Sequence, residues 1–316
     1  MSEPRSPQIP GPGEWPTWTL IERELLEVAR EERPFLEAAA GLVTEFGELA
    51  ALLVRAWTPP REGARASARD EAILCALAVR IVKLTRRLVA ETYEGRAELQ
   101  LLLDREIFVS ASAMAYLLRG SGERFEAFVR DSLRADRGVW RHLDGNREMR
   151  DGETLPMEQR MRDRLARSFE IAGVDPEEAD EEASGWPSLD EQLAAIGEPS
   201  AHRMHQLGAD SIHGLWNELH THHLRAGEPE AGALEPRLEW TAAQVQPLTA
   251  VAIQASRVMA AWSRRIGHEA AEAFRDKFLD LAGRAALVDR FHEEYLARSS
   301  RPGMDELAGE PGGAEV

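Results

Sequence analysis

Cysteine occurs once, at Cys75, lysine only twice, at Lys83 and Lys277, and tyrosine three times. One cysteine excludes an intramolecular disulfide and any Cys-based zinc module. Two lysines, both at solvated-looking helix positions, leave few candidates for a Schiff base or a phosphate grip. With aromatics at 6%, the chain lacks the tyrosine-rich composition of common β-sandwiches and barrels. No window approaches ~20 uncharged apolar residues, so no membrane span is expected. The start, Met1 to Pro7, has no apolar core of the secretory kind, and the expected location is cytoplasmic. Basic residues number 38 against 55 acidic ones, a net charge of −17 that argues against general nucleic-acid binding.

What is present is helical periodicity. A chain of 316 residues, 43% apolar, can bury one or two sizeable cores. Residues 1–16 and 299–316, rich in Pro, Gly and acid, read as disordered tails. Between them, 17–298 reads as one all-α multi-helix bundle, long antiparallel helices with short accessory ones and a looser acidic insertion at about 144–200. Thr19 with Glu22 looks like a capping box for a first helix running toward Glu32. Pro34 suits the first turn of a second helix that Pro59-Pro60 stops. Ile73, Leu77, Ile81, Leu84 and Leu88 form one buried stripe; Leu99, Leu103, Ile107, Met114 and Leu118 form another. A shorter helix begins at Ser121. Further stripes run from Leu248 to Trp262 and from Phe274 to Tyr295. Ser188 with Glu191 predicts a cap before Leu189, Leu193 and Ile196. The acid run Asp175 to Glu182 reads as a solvated face.

Standard phosphate and nucleophile motifs are missing. Cys75 borders an apolar stripe, where a buried thiol is the expected reading. Six of the nine histidines fall between His202 and His223. On a regular helix Ile212, Leu215, Trp216 and Leu219 would be the buried stripe, His213, Asn217 and His220 one flank, and Glu218 and His222 the other. His213 and His220 would stand about 10 Å apart along the axis, too far to share one ion. The pairs Glu218/His222, His202/His205 and His220/His223 need ligands from elsewhere, so structural hydrogen bonds are the better reading and no cofactor is expected. Arg137 with His142 fits a nuclease-like Arg-x4–6-His pattern, which an arginine-rich chain meets by chance about three times over those spacings.

Two segments together resemble an uncharacterised bacterial helical family, catalogued as domain of unknown function 5677. One is Asp104-Arg105-Glu106-Ile107-Phe108-Val109 with Met114-Ala115-Tyr116-Leu117-Leu118. The other runs from Trp186-Pro187-Ser188 through Leu193-Ala194-Ala195-Ile196-Gly197 to Asp210-Ser211-Ile212-His213-Gly214. The similarity would cover roughly residues 70–265. Val109 stands where the family usually carries Glu, and His202 or His205 where Tyr is usual. The resemblance implies a helical fold and carries no established activity.

Arg105, Ser211 and His213, with Asn217 and His220 beside them, are the expected lining of a small interhelical pocket. The expected function is a non-catalytic ligand-binding or protein-interaction module, with an unidentified protein or small molecule as partner and a homodimer possible. The alternative is an enzyme, a nuclease-like or metal-dependent hydrolase using Arg105 and His213 or the 202–223 histidines.

Overall fold

The computed structural model describes residues 15–57, 65–176, 185–198, 215–226, 234–266 and 270–299. Among them lie ten α-helices and one short hairpin, an all-α multi-helix bundle with long and accessory helices. The first seven are α1 (Arg23–Val28), α2 (Arg33–Ala56), α3 (Arg65–Tyr93), α4 (Ala97–Leu118), α5 (Gly122–Met149), α6 (Pro156–Ala172) and α7 (Leu189–Ala195). The single turn α8 (Trp216–Glu218) continues as a π-turn, Leu219–His223, and then as strands β1 (Leu224–Ala226) and β2 (Leu234–Pro236). Helices α9 (Val245–Ser263) and α10 (Ala271–Ser299) follow. No helix among the described residues is long and apolar enough to cross a membrane.

The span read from the sequence as one domain divides into two compact units. One comprises Met1–Thr58, Leu77–Ala111 and Ser200–Val316; the other comprises Pro59–Ala76 and Ser112–Pro199.

In the first unit α2, α9 and α10 pack against one another. Phe46 meets Phe278 at 6.0 Å between ring centroids, and Phe35 meets Tyr295 at 5.3 Å, so α2 and α10 run antiparallel. Leu42, Leu49, Leu53, Val251, Ala255, Met259, Trp262 and Leu281 complete the core. These are the three–four spaced positions of the sequence, as burial of one helical stripe requires. The α3–α4 connection turns at Gly95, whose φ of +68° is left-handed, and Arg80 returns to Ser110 at 3.1 Å.

The first helix does not start at Thr19. The Thr19 N–H donates to Glu45 Oε2 at 2.8 Å, its carbonyl accepts from Arg284 at 2.9 Å, and helix begins only at Arg23. Glu45 and Arg284 form a two-pronged pair at 2.6 and 2.8 Å, with the Trp18 ring 3.9 Å from the guanidinium. Tertiary partners therefore hold residues 18–22 outside the helix, and the local capping box loses.

The second unit packs α5 on α6 through Val129, Leu133, Leu143, Leu165 and Phe169, flanked by Ile73, Phe128 and Trp140. The helix read as short from Ser121 runs on to Met149. Much of the looser stretch is helical too: α6 starts at Pro156 and stops at Gly173, whose φ of +71° supplies the left-handed cap. The Ser188–Glu191 capping box is formed. Trp186 lies edge-on to Phe128 and Tyr116, at 5.1 and 5.4 Å. Most of the acid run lies outside the described residues.

Candidate functional site

The candidates around α8 separate sharply. Ser211, His213, His202 and His205 lie outside the described residues, as does the side chain of Asn217. His220 is exposed, its ring 5.8 Å from that of Trp216. Arg105 sits half-buried on α4, with its Nε buried and unpartnered among the described residues. The expected meeting of Arg105 with Ser211 and His213 thus falls outside what the structure describes.

Glu218 and His222 are brought together, and with partners the sequence reading missed. The segment 241–244 lies along the first turn of α4. Ala97 N–H donates to the Thr241 carbonyl at 3.1 Å, while the Gln100 side chain donates to Gln244 O at 2.8 Å and accepts from Gln244 N–H at 3.0 Å. The first of these bonds supplies a partner to a helix-start donor that an α-helix leaves open. Thr241 N–H and Oγ–H both donate to Glu98 Oε1, at 3.1 and 3.0 Å. With its proton so committed, the Thr241 oxygen accepts from His222 Nδ1–H at 2.7 Å. The hydrogen-bond order places a proton on Nδ1, and Nε2 stands 3.7 Å from Glu218 Oε2. Glu218 Oε1 stands 3.6 Å from His223 Nε2.

A carboxylate–hydroxyl–imidazole chain of this kind orients a catalytic base when its free nitrogen reaches a substrate. Here His222 is 4% exposed and its Nε2 faces a buried carboxylate. A hydrolytic metal centre needs three protein donors and an open position. Among the described residues no three His, Cys, Asp or Glu side chains are disposed to hold an ion. The cluster acts chemically as a clamp that ties the π-turn and hairpin to α4.

The clamp inverts the polarity expected of this stretch. Leu215, Trp216 and Leu219, read as the buried stripe, are exposed at 48%, 64% and 40%, while Glu218 and His222 are buried. A wheel at 100° per residue fails because α8 is one turn followed by a π-turn, and because Glu98 and Thr241 offer polar partners inside. The hairpin pairs Leu224 with Pro236 and Ala226 with Leu234. It adds exposed Leu234, and Leu238 and Trp240 follow it, with Arg96 stacked 5.6 Å from the Trp240 ring. Six large apolar side chains thus face solvent within the Leu215–Trp240 stretch.

Burial pushes the Cys75 thiol up to about 11, which keeps it protonated. Arg137 is buried and His142 exposed, about 140° apart on α5, so the nuclease-like spacing does not converge. Asp104 on α4, within the segment that carries the family resemblance, is buried with neither oxygen hydrogen-bonded among the described residues. Burial holds its carboxyl well above the usual range. The sequence offered one signal for Glu98 and Asp104, acids set among the apolar periodicity of α4.

Comparison with family models, curated proteins and solved structures finds no match to this chain. The resemblance to the uncharacterised helical family rests on its two segments alone.

Proposed function

We propose that the protein is a non-catalytic interaction module that binds a protein partner through the Leu215–Trp240 surface. One observation carries this reading: two tryptophans and four leucines are held outward on a segment whose Glu218 and His222 are clamped inward. Exposed apolar clusters of this kind mark interaction sites, and tryptophan is the residue most enriched at their energetic centres. Burying Glu98, Glu218 and His222 to display Trp216 and Leu238 is costly for a segment with no binding role.

The test is site-specific photo-crosslinking in the protein's own cells, with the crosslinker replacing Trp216 or Leu238. The control site is Arg87, exposed on α3. Adducts of one defined mass at 216 and 238, absent at 87, support the reading. Adducts equally frequent at all three sites, or none at 216 and 238, refute it. Retention of one metal equivalent that is lost in Glu218→Gln and His222→Ala would shift the assignment to the hydrolase alternative.

A further inference from the structure

A second surface, on the other unit, carries its own signal. The outer face of α6 presents Met157, Arg160, Met161, Arg164, Arg167 and Ile171 at helical spacing. Its arginines are exposed, as are Met157 and Ile171, each at 67%. On other helices some exposed arginines pair with acids one turn away, Arg33 with Glu37 at 2.8 Å and Arg134 with Asp131 at 3.1 Å. Arg160, Arg164 and Arg167 make no ion pair or hydrogen bond among the described residues. Asp163, three residues from Arg160 and four from Arg167, accepts instead from Gln159 Nε2 at 2.7 Å. Like charges three and four apart on a helix repel. In a chain of net charge −17, an arginine stripe bordered by apolar side chains, with Asp163 and Glu170 along one edge, works against the local stability of α6.

We infer that this stripe is a docking face for a short acidic amphipathic helix of another protein, its carboxylates on the arginines and its apolar side chains on Met157, Met161 and Ile171. The face is about 21 Å long from Met157 to Ile171, the length of four helical turns. Flexible methionines suit an apolar contact that must adapt to its partner. The overall negative field repels an extended polyanion such as a nucleic acid or an anionic membrane, whereas a few carboxylates need only the local arginines. A second copy fits poorly, because a two-fold interface would set the arginine stripe against itself.

The inference is independent of the Leu215–Trp240 surface, and its test uses the full-length protein. The probe is a labelled synthetic helix about five turns long, with leucines at three–four spacing flanked by glutamates, followed by fluorescence anisotropy. Saturable binding is expected, weakened at least about fivefold in R160S/R164S/R167S and also on raising salt from about 0.05 to about 0.5 M. Met157→Ser with Ile171→Ser should weaken it as well, and circular dichroism of both variants should match the parent. Equal affinity for parent and arginine variant overturns the inference. So does tighter arginine-dependent binding of duplex DNA or phosphatidylserine vesicles than of the peptide, or a dimer in light scattering that the arginine variant turns into a monomer.

Discussion

Thr241→Val isolates the clamp. Valine keeps the shape of threonine, so packing around residue 241 is preserved while the hydroxyl that joins Glu98 to His222 is lost. Glu98 retains only the Thr241 N–H, and His222 Nδ1, in a 4% exposed side chain, loses its 2.7 Å partner. A hydrogen bond to a carboxylate contributes about 1.5–3 kcal/mol, and leaving a buried donor unmade costs a further 1–3 kcal/mol, so a total of about 3 kcal/mol is expected. The loss should be local, because α2, α9 and α10 form their core without this segment. Native-state hydrogen exchange reads it at two amides, Arg237 N–H, bonded to His223 O at 2.9 Å, and Ala97 N–H, bonded to Thr241 O at 3.1 Å. Both should exchange about a hundredfold faster, with protection in α9 and α10 unchanged. If the two amides keep their protection, or if the core loses it equally, the clamp is not the device that holds this segment.

Three further outcomes follow from packing and charge. Glu45→Ala leaves Arg284 without its buried partner and frees Thr19; we expect about 3–5 kcal/mol lost in urea unfolding and proteolytic cleavage near residue 20. Phe278 is fully buried between α2 and α9, so Phe278→Ala should cost about 3–5 kcal/mol and Phe278→Asp should abolish folding. A folded Phe278→Asp protein that is merely monomeric in light scattering would make α10 an interface. Burial raises the Asp104 carboxyl, so the native chain keeps a proton that the unfolded chain releases near about pH 3.9. Stability therefore falls as pH rises from there toward the folded value and is level beyond it. Asp104→Asn should raise the melting temperature at pH 7 and change it little near pH 4; equal effects at both would show that ionisation is not the cause.

The sequence by itself determined the class and most of the long helices, because three–four periodicity states directly which stripe each helix must bury. Pro34, Pro156 and Gly173 lie where backbone chemistry starts or stops a helix, and the Ser188–Glu191 box formed because both its partners are local. Wherever a distant group offered a stronger partner, local rules lost. Glu45 and Arg284, 239 residues apart, took the backbone of Thr19 from its own capping box. Glu98 and Thr241, 143 residues apart, drew Glu218 and His222 inward and turned Leu215, Trp216 and Leu219 out. A hydrophobic wheel assumes that only apolar side chains gain from burial. A buried carboxylate–hydroxyl–imidazole chain reverses that assumption, and only the tertiary structure could supply its members.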